Sequence, residues 1–189
     1  GKAQAVFLEG SGEGGSHWTP ASIVNRRWTM QYDDLRFHVQ PTPFRHMGFF
    51  PEQAAHWDWM RAILAGARRE TKVLNLYGYT GLATLAAAAA GAQVTHIDAS
   101  KKSITWAREN QQLSGMDQKP IRWIPEDALK FVEREGRRGT KYDGIIIDPP
   151  KFGRGPNGEI WKLEESLGKL LQACKPILSD DAAFVVLTM

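Results

Sequence analysis

The sequence predicts an α/β protein, with a Rossmann-like, doubly wound and mainly parallel sheet behind a small β-rich N-terminal element. Three runs carry that expectation: Lys72-Val-Leu-Asn-Leu-Tyr-Gly-Tyr-Thr-Gly81, Ile97-Asp98, and Ile145-Ile-Ile-Asp-Pro-Pro-Lys-Phe152. Each is a short apolar strand that ends in a glycine or polar turn. Ligands of open α/β sheets sit just beyond the carboxyl ends of such strands. Ends carrying Gly, Asp and Asp-Pro-Pro therefore describe one binding crevice.

In chain order, residues 1–50 form the N-terminal element. The glycine- and serine-rich stretch at 10–16 reads as a flexible loop. Trp28–Tyr32 and Leu35–Val39, split by Asp33-Asp34, read as a hairpin, and Pro41, Pro43 and Pro51 break up the stretch after it. The α/β domain takes residues 51–189. Pro51 followed by Glu52 is a helix start. His56, Met60, Ile63, Leu64 and Ala67 share one face, so this helix is expected to run to Arg69. Strands at Val73–Leu76, Val94–Ile97, Ile121–Ile124, Gly144–Ile147 and Ala183–Leu187 then alternate with helices at Gly81–Ala90, Ser100–Ser114, Asp127–Glu135 and Leu163–Cys174. Ser100 is placed to cap its helix, and Gly91 and Gly115 to end theirs. Strict alternation implies right-handed crossovers between parallel strands. The chain opens on Gly1 and halts at Met189 straight after an apolar strand, which reads as a fragment, incomplete at its C-terminus.

With 189 residues, 42% hydrophobic content and seven Trp, the chain suits one packed domain plus that element. A formal net charge of +3 and a pI near 9.0 favour an anionic partner such as nucleic acid. Cys174 is the only cysteine, which excludes an intrachain disulfide and a cysteine-cluster zinc site and suits a reducing cytoplasm. The five His show no ligand spacing, so no metal is expected. No apolar run approaches the roughly 18 residues that span a membrane. Nor does the start resemble a signal peptide, because glycines and a charge interrupt it. Trp57, Trp59, Trp106 and Trp123 are read as core. The basic doublets Arg26-Arg27, Arg68-Arg69, Lys101-Lys102 and Arg137-Arg138 are read as solvated faces.

The turn Tyr77-Gly-Tyr-Thr-Gly81 has Gly-x-x-Gly and lacks the Gly-x-Gly-x-x-Gly that cradles a pyrophosphate. A cofactor without phosphate fits better, and S-adenosylmethionine is one. Its amino-acid part would lie against main-chain groups of Tyr77–Gly81 and the Thr80 hydroxyl. Asp98 is placed to accept from ribose hydroxyls, a role NAD would share, or to cap the next helix. Asp127 is placed to accept from an adenine amine with Ala128 leaving room for the ring, or to act as an N-cap. In Asp148-Pro149-Pro150 the prolines fix the backbone and free a carbonyl from ladder duty. That carbonyl and Asp148 then become paired acceptors for a substrate nitrogen.

Together these residues resemble the class I S-adenosylmethionine-dependent methyltransferases, in the branch of the large-subunit ribosomal RNA cytosine-C5 and guanine-N7 enzymes. The resemblance rests on Asn75–Gly81, Ala107-Arg-Glu-Asn110, Leu113-Ser-Gly115, Asp148-Pro-Pro-Lys-Phe152 and Arg45-His-Met-Gly-Phe-Phe-Pro-Glu-Gln53. It implies cofactor binding through Tyr77, Gly78, Tyr79, Thr80, Gly81, Asp98, Ala99, Ser100, Asp127, Ala128 and Asp148, with Phe49 and Gln53 closing over the ligand. It implies Asp148, Pro149, Lys151 and Phe152 at the catalytic end, where Lys151 and Arg154 would meet phosphates and Phe152 an extruded base. It further implies a cytoplasmic enzyme of RNA methylation, with homodimerisation an open option. Two departures stand out. Asn75 replaces an acidic residue, and no cysteine follows the last strand, so cytosine-C5 chemistry is unsupported; Cys174 is read as packed. The competing functions are a nicotinamide-dependent oxidoreductase, a non-catalytic RNA-binding module, and a methyltransferase for protein or a small molecule.

Overall fold

The computed structural model describes residues 3–10, 15–43 and 45–189. The expected loop at 10–16 falls largely outside them. In the N-terminal element, β1 (Val6–Leu8) pairs antiparallel with β2 (His17–Thr19), and β3 (Trp28–Tyr32) with β4 (Leu35–Val39). The second hairpin is the expected one. The first, three residues a strand, is too short to show an alternation.

A 3-10 turn over Pro51–Gln53 leads into α1 (Ala54–Ala65). This helix is shorter at both ends than its periodicity predicts. Gly66 closes it, donating to Ile63 O at 3.2 Å, and Arg69 is drawn away to Asp143 and Asp181, each at 2.8 Å. There follow β5 (Lys72–Leu76), α2 (Leu82–Ala89), β6 (Gln93–Asp98), α3 (Lys101–Leu113), β7 (Ile121–Pro125), α4 (Ala128–Arg138) and β8 (Gly144–Ile147). A short hairpin of β9 (Phe152–Arg154) and β10 (Ile160–Lys162) precedes α5 (Leu163–Cys174) and β11 (Phe184–Leu187).

The main sheet is parallel throughout, in the order β11-β8-β5-β6-β7. The chain therefore builds outward from β5 on one side, then returns to build outward on the other. The reversal leaves a crevice at the carboxyl ends of β5, β6 and β8. Both faces are covered, as a parallel sheet requires. Val73 and Ile146 turn to a core shared with α1, α2 and the β3–β4 hairpin, while Leu74, Leu76, Ile145 and Ile147 turn to one shared with α4 and α5. Phe131, fully buried in the second core, contributes on the order of 3 kcal/mol there. The alanines of α2 give a smooth, fully buried surface on which the hairpin can sit close.

That hairpin docks by its edge. Ser114 Oγ accepts from Arg36 N at 3.0 Å and donates to Arg36 O at 2.8 Å, and Asn110 Oδ1 accepts from His38 N at 2.9 Å. Side chains of α3 thus stand in for a third strand. Two expectations fail here. Trp59 is 48% exposed on the outer side of α1, against the edge of Phe184, while Trp57 is buried and Trp106 and Trp123 half-buried. Arg27, Arg69 and Arg138 are not simply solvated, since each joins an ion pair, Arg27 with Glu109 and Arg138 with Glu135. Cys174 is buried as expected, and burial pushes its thiol up to about 12. Among the described residues no helix is long and apolar enough to cross a membrane.

Candidate functional site

The turn after β5 is built on alternating left-handed residues: Tyr77 (φ 58°), Tyr79 (φ 48°) and Gly81 (φ 86°). Non-glycine residues in that region cost about 1–3 kcal/mol each and persist only where surroundings hold them. Gly78 supplies the close approach. Its N–H donates to Ile97 O at 3.0 Å, and a Cβ there would fall 2.4 Å from Cε1 of His96. His96 is fully buried beneath the turn, its ring 4.6 Å from Trp123, and burial pulls its pKa down to about 3, so it is neutral. Its Nδ1 lies 2.9 Å from Thr84 Oγ1, which accepts from Asn75 Nδ2 at 2.9 Å. Asn75, the departure from an acidic residue, is thus committed to the underside of the turn.

Asp98 ends β6 facing this turn. Its two oxygens accept from Tyr79 N at 2.9 Å and Ser100 N at 2.8 Å. Burial nevertheless holds its carboxyl above the ordinary value, because two backbone donors only partly compensate the desolvation. Each oxygen keeps acceptor capacity. Ser100 Oγ accepts from Ser103 N at 3.2 Å and Asp127 Oδ1 from Lys130 N at 2.9 Å, so both are N-caps as well as cavity residues.

At the end of β8, Asp148 accepts from the Thr188 hydroxyl. The Pro150 carbonyl takes the indole N–H of Trp161 at 2.7 Å. No donor among the described residues takes the Pro149 carbonyl, so it and the second carboxylate oxygen of Asp148 remain as acceptors at the cavity.

These groups surround a cavity of about 430 Å³, into which the structure brings Tyr77, Tyr79, Asp98, Ala99, Ser100, Asp127, Ala128, Asp148 and Pro149. A smaller adjoining space of about 50 Å³ takes Phe49, Gln53, Gly78 and Thr80. Three expected site residues line neither. Gly81 is turned against α3, where a Cβ would meet Ala107 at 2.8 Å, so its role is to let the turn enter α2. Lys151 and Phe152 point outward, Phe152 being 56% exposed. The cavity in turn recruits residues that local patterns did not single out. His46 and Phe50 pack on Tyr79, with centroids 5.6 and 6.1 Å away, and Trp161 stacks on Tyr77 at 5.1 Å. Asn157-Gly158, a strong hairpin turn signal, would have exposed the β9–β10 hairpin that carries Trp161. Among the described residues no cluster suits a metal ion.

Comparison with known proteins identifies the ligand class. The profile of S-adenosylmethionine-dependent methyltransferases matches residues 13–174. The chain belongs to that family. A "Ribosomal RNA large subunit methyltransferase K/L" of Pseudoalteromonas translucida is 27% identical over 96% of this chain and 25% of its own length. A "Ribosomal RNA large subunit methyltransferase I" of Aeromonas salmonicida is 34% identical over 55% of this chain and 24% of its own. The chain therefore spans about a quarter of these relatives. The crystal structure of an Agrobacterium tumefaciens SAM-dependent methyltransferase superposes with TM-score 0.91 and 51% identity, covering 98% of this chain and 59% of that one. SMU.776, solved with S-adenosylhomocysteine, shares the fold at TM-score 0.74 and 24% identity, over 88% of this chain and 43% of its own.

The residues at this cavity are chemically compatible with such a cofactor: Asp98 keeps acceptor capacity, Asp127 lies beside small Ala128, and one wall is aromatic. The glycine turn offers close approach without a phosphate cradle, and the family sets aside the nicotinamide reading.

Proposed function

We propose that this chain is the donor-binding and catalytic part of a methyltransferase acting on a nucleobase of ribosomal RNA. The observation that carries it is the Asp148–Pro149 acceptor pair at the cavity wall, next to an outward hairpin face that pairs aromatic and cationic groups. Bound S-adenosylmethionine supplies a methyl group on a sulfonium, transferable by in-line displacement. Asp98 holds the ribose, Asp127 the adenine amine, and the Tyr77–Thr80 turn with Phe49 and Gln53 the remainder. Asp148 and the Pro149 carbonyl accept from an amino group of the incoming base, and Asp148 can take its proton. Most of the rate then comes from positioning.

The acceptor assignment draws on the printed names of the relatives and on the hairpin. The register places Phe152 opposite Lys162 and Arg154 opposite Ile160, so all four share one face. Phe152 and Ile160 are 56% and 60% exposed, and no ion pair among the described residues takes Lys151 or Arg154. Exposed aromatic and cationic groups side by side suit stacked bases and phosphates. A cytoplasmic location is part of the same proposal.

Transfer of labelled methyl groups to ribosomal RNA, intact ribosomal subunits or protein extract tests this. Label in RNA, abolished by Asp148→Ala and reduced by Phe152→Ala, is expected. Label in protein alone, or RNA label indifferent to Asp148, would sink the proposal.

A further inference from the structure

We infer that Asn110 is a positioning residue that locks the cofactor turn to the N-terminal hairpin, so that the two close the site as one unit. The inference rests on the turn's reading as a cofactor cradle. Asn is a poor helix former even in the last turn of α3, and a buried amide is costly unless fully partnered. Asn110 is 0% exposed and uses both ends. Its Oδ1 accepts from His38 N at 2.9 Å, and its Nδ2 donates to Thr80 O at 2.9 Å. One side chain thus joins β4, α3 and the turn.

Thr80 is held a second time, its hydroxyl donating to Gly48 O at 2.7 Å. Gly48 is itself wedged, since a Cβ there would fall 2.4 Å from the Trp106 ring, and Trp106 donates to His38 O at 3.3 Å. The same segment delivers His46 and Phe50 to the cavity wall. Thr80 lies next to Tyr79, whose left-handed backbone aims its N–H at Asp98. Fixing Thr80 at carbonyl and hydroxyl is what holds that unfavourable conformation in place. Without the Asn110 donor, the Thr80 carbonyl must rotate toward another partner, carrying Tyr79 and the Asp98 contact with it.

Ser114, one turn further along α3, provides the contrast. It binds Arg36 of the same hairpin through both N–H and C=O but makes no bond to the turn. If Asn110 only glued the hairpin to the helix, the two would be equivalent.

Titration calorimetry with S-adenosylhomocysteine separates the cases. Asn110→Ala is expected to weaken binding about tenfold, as for a lost buried hydrogen bond, while Ser114→Ala keeps the wild-type Kd. Asn110→Asp keeps an acceptor for His38 and turns the donor to Thr80 into a carboxylate oxygen that repels that carbonyl. A loss of affinity at least as large is therefore expected of its folded fraction, which tests the same bond where the alanine variant folds poorly. Wild-type Kd with fewer binding-competent molecules in the Asn110 variants, or an equal loss in Ser114→Ala, overturns the inference. Failure of the unsubstituted protein to bind S-adenosylhomocysteine instead removes the cofactor reading itself, and the inference with it.

Discussion

Asp98 and Asp143 lie at opposite ends of the same sheet and are treated in opposite ways. Asp143, at the amino end of β8, accepts from Arg69 and Ser179 on one oxygen, at 2.8 and 2.9 Å, and from Lys72 N on the other at 2.8 Å. Burial pushes its carboxyl up, but Arg69 and the other donors outweigh it and hold it below its ordinary value. Asp98, at the carboxyl end of β6, has two backbone donors and no cation, and burial wins. One carboxylate is spent on cohesion. The other carries an unmet demand that a ligand's hydroxyls can satisfy. The half-buried acid with fewer partners lines the cavity, and the fully partnered one lies away from it.

The largest effect should come from Asp143→Ala, which strands Ser179 and Lys72 N and leaves Arg69 with Asp181 alone. Urea unfolding should show a loss of about 3 kcal/mol, reduced from the cost of breaking a fully buried pair because Arg69 is half exposed. The folded fraction should bind S-adenosylhomocysteine normally. Asp98→Asn should do the reverse, with binding weakened about thirtyfold, the equivalent of about 2 kcal/mol, and stability lowered by no more than about 1 kcal/mol, because the amide can replace only one of the two oxygens that accept from Tyr79 N and Ser100 N. Equal destabilisation by both variants would erase the contrast.

The smallest effect is in pH. Asp98 has a folded pKa above its ordinary 3.8, so its ionisation costs stability once pH rises through that folded value. Asp143 has a folded pKa below 3.8 and contributes stability that is lost as pH falls through it. In ligand-free protein, the stability of Asp98→Asn relative to wild type should thus rise above pH 3.8. The penalty of Asp143→Asn should shrink below it. Parallel pH profiles for the two variants would contradict the assignment.

Local chemistry was legible in the sequence, and long-range chemistry was not. Strand ends, the caps at Ser100 and Asp127, and the prolines after Asp148 depend on neighbours within a few residues. The parallel, doubly wound sheet followed from strict alternation. What escaped were three-residue strands, too brief for any period, and residues whose partners lie far along the chain. His46 reaches Tyr79 across 33 positions and Asn110 reaches His38 across 72. Trp59 was misplaced because an aromatic on a helix carries no sign of which side faces the sheet.

The β9–β10 hairpin is pinned at its base, where Trp161 is buried against Tyr77 and bonded to Pro150, and again near its tip, where Glu159 pairs with Lys130 of α4 and Gly155 lines the cavity. Insertions or exchanges at its tip therefore reshape the cavity rim, whereas Phe152 and Ile160 lie outside the cavity lining. Such a layout makes the outward positions 152 and 160, rather than the tip, the place where the hairpin can be altered while the cavity keeps its shape.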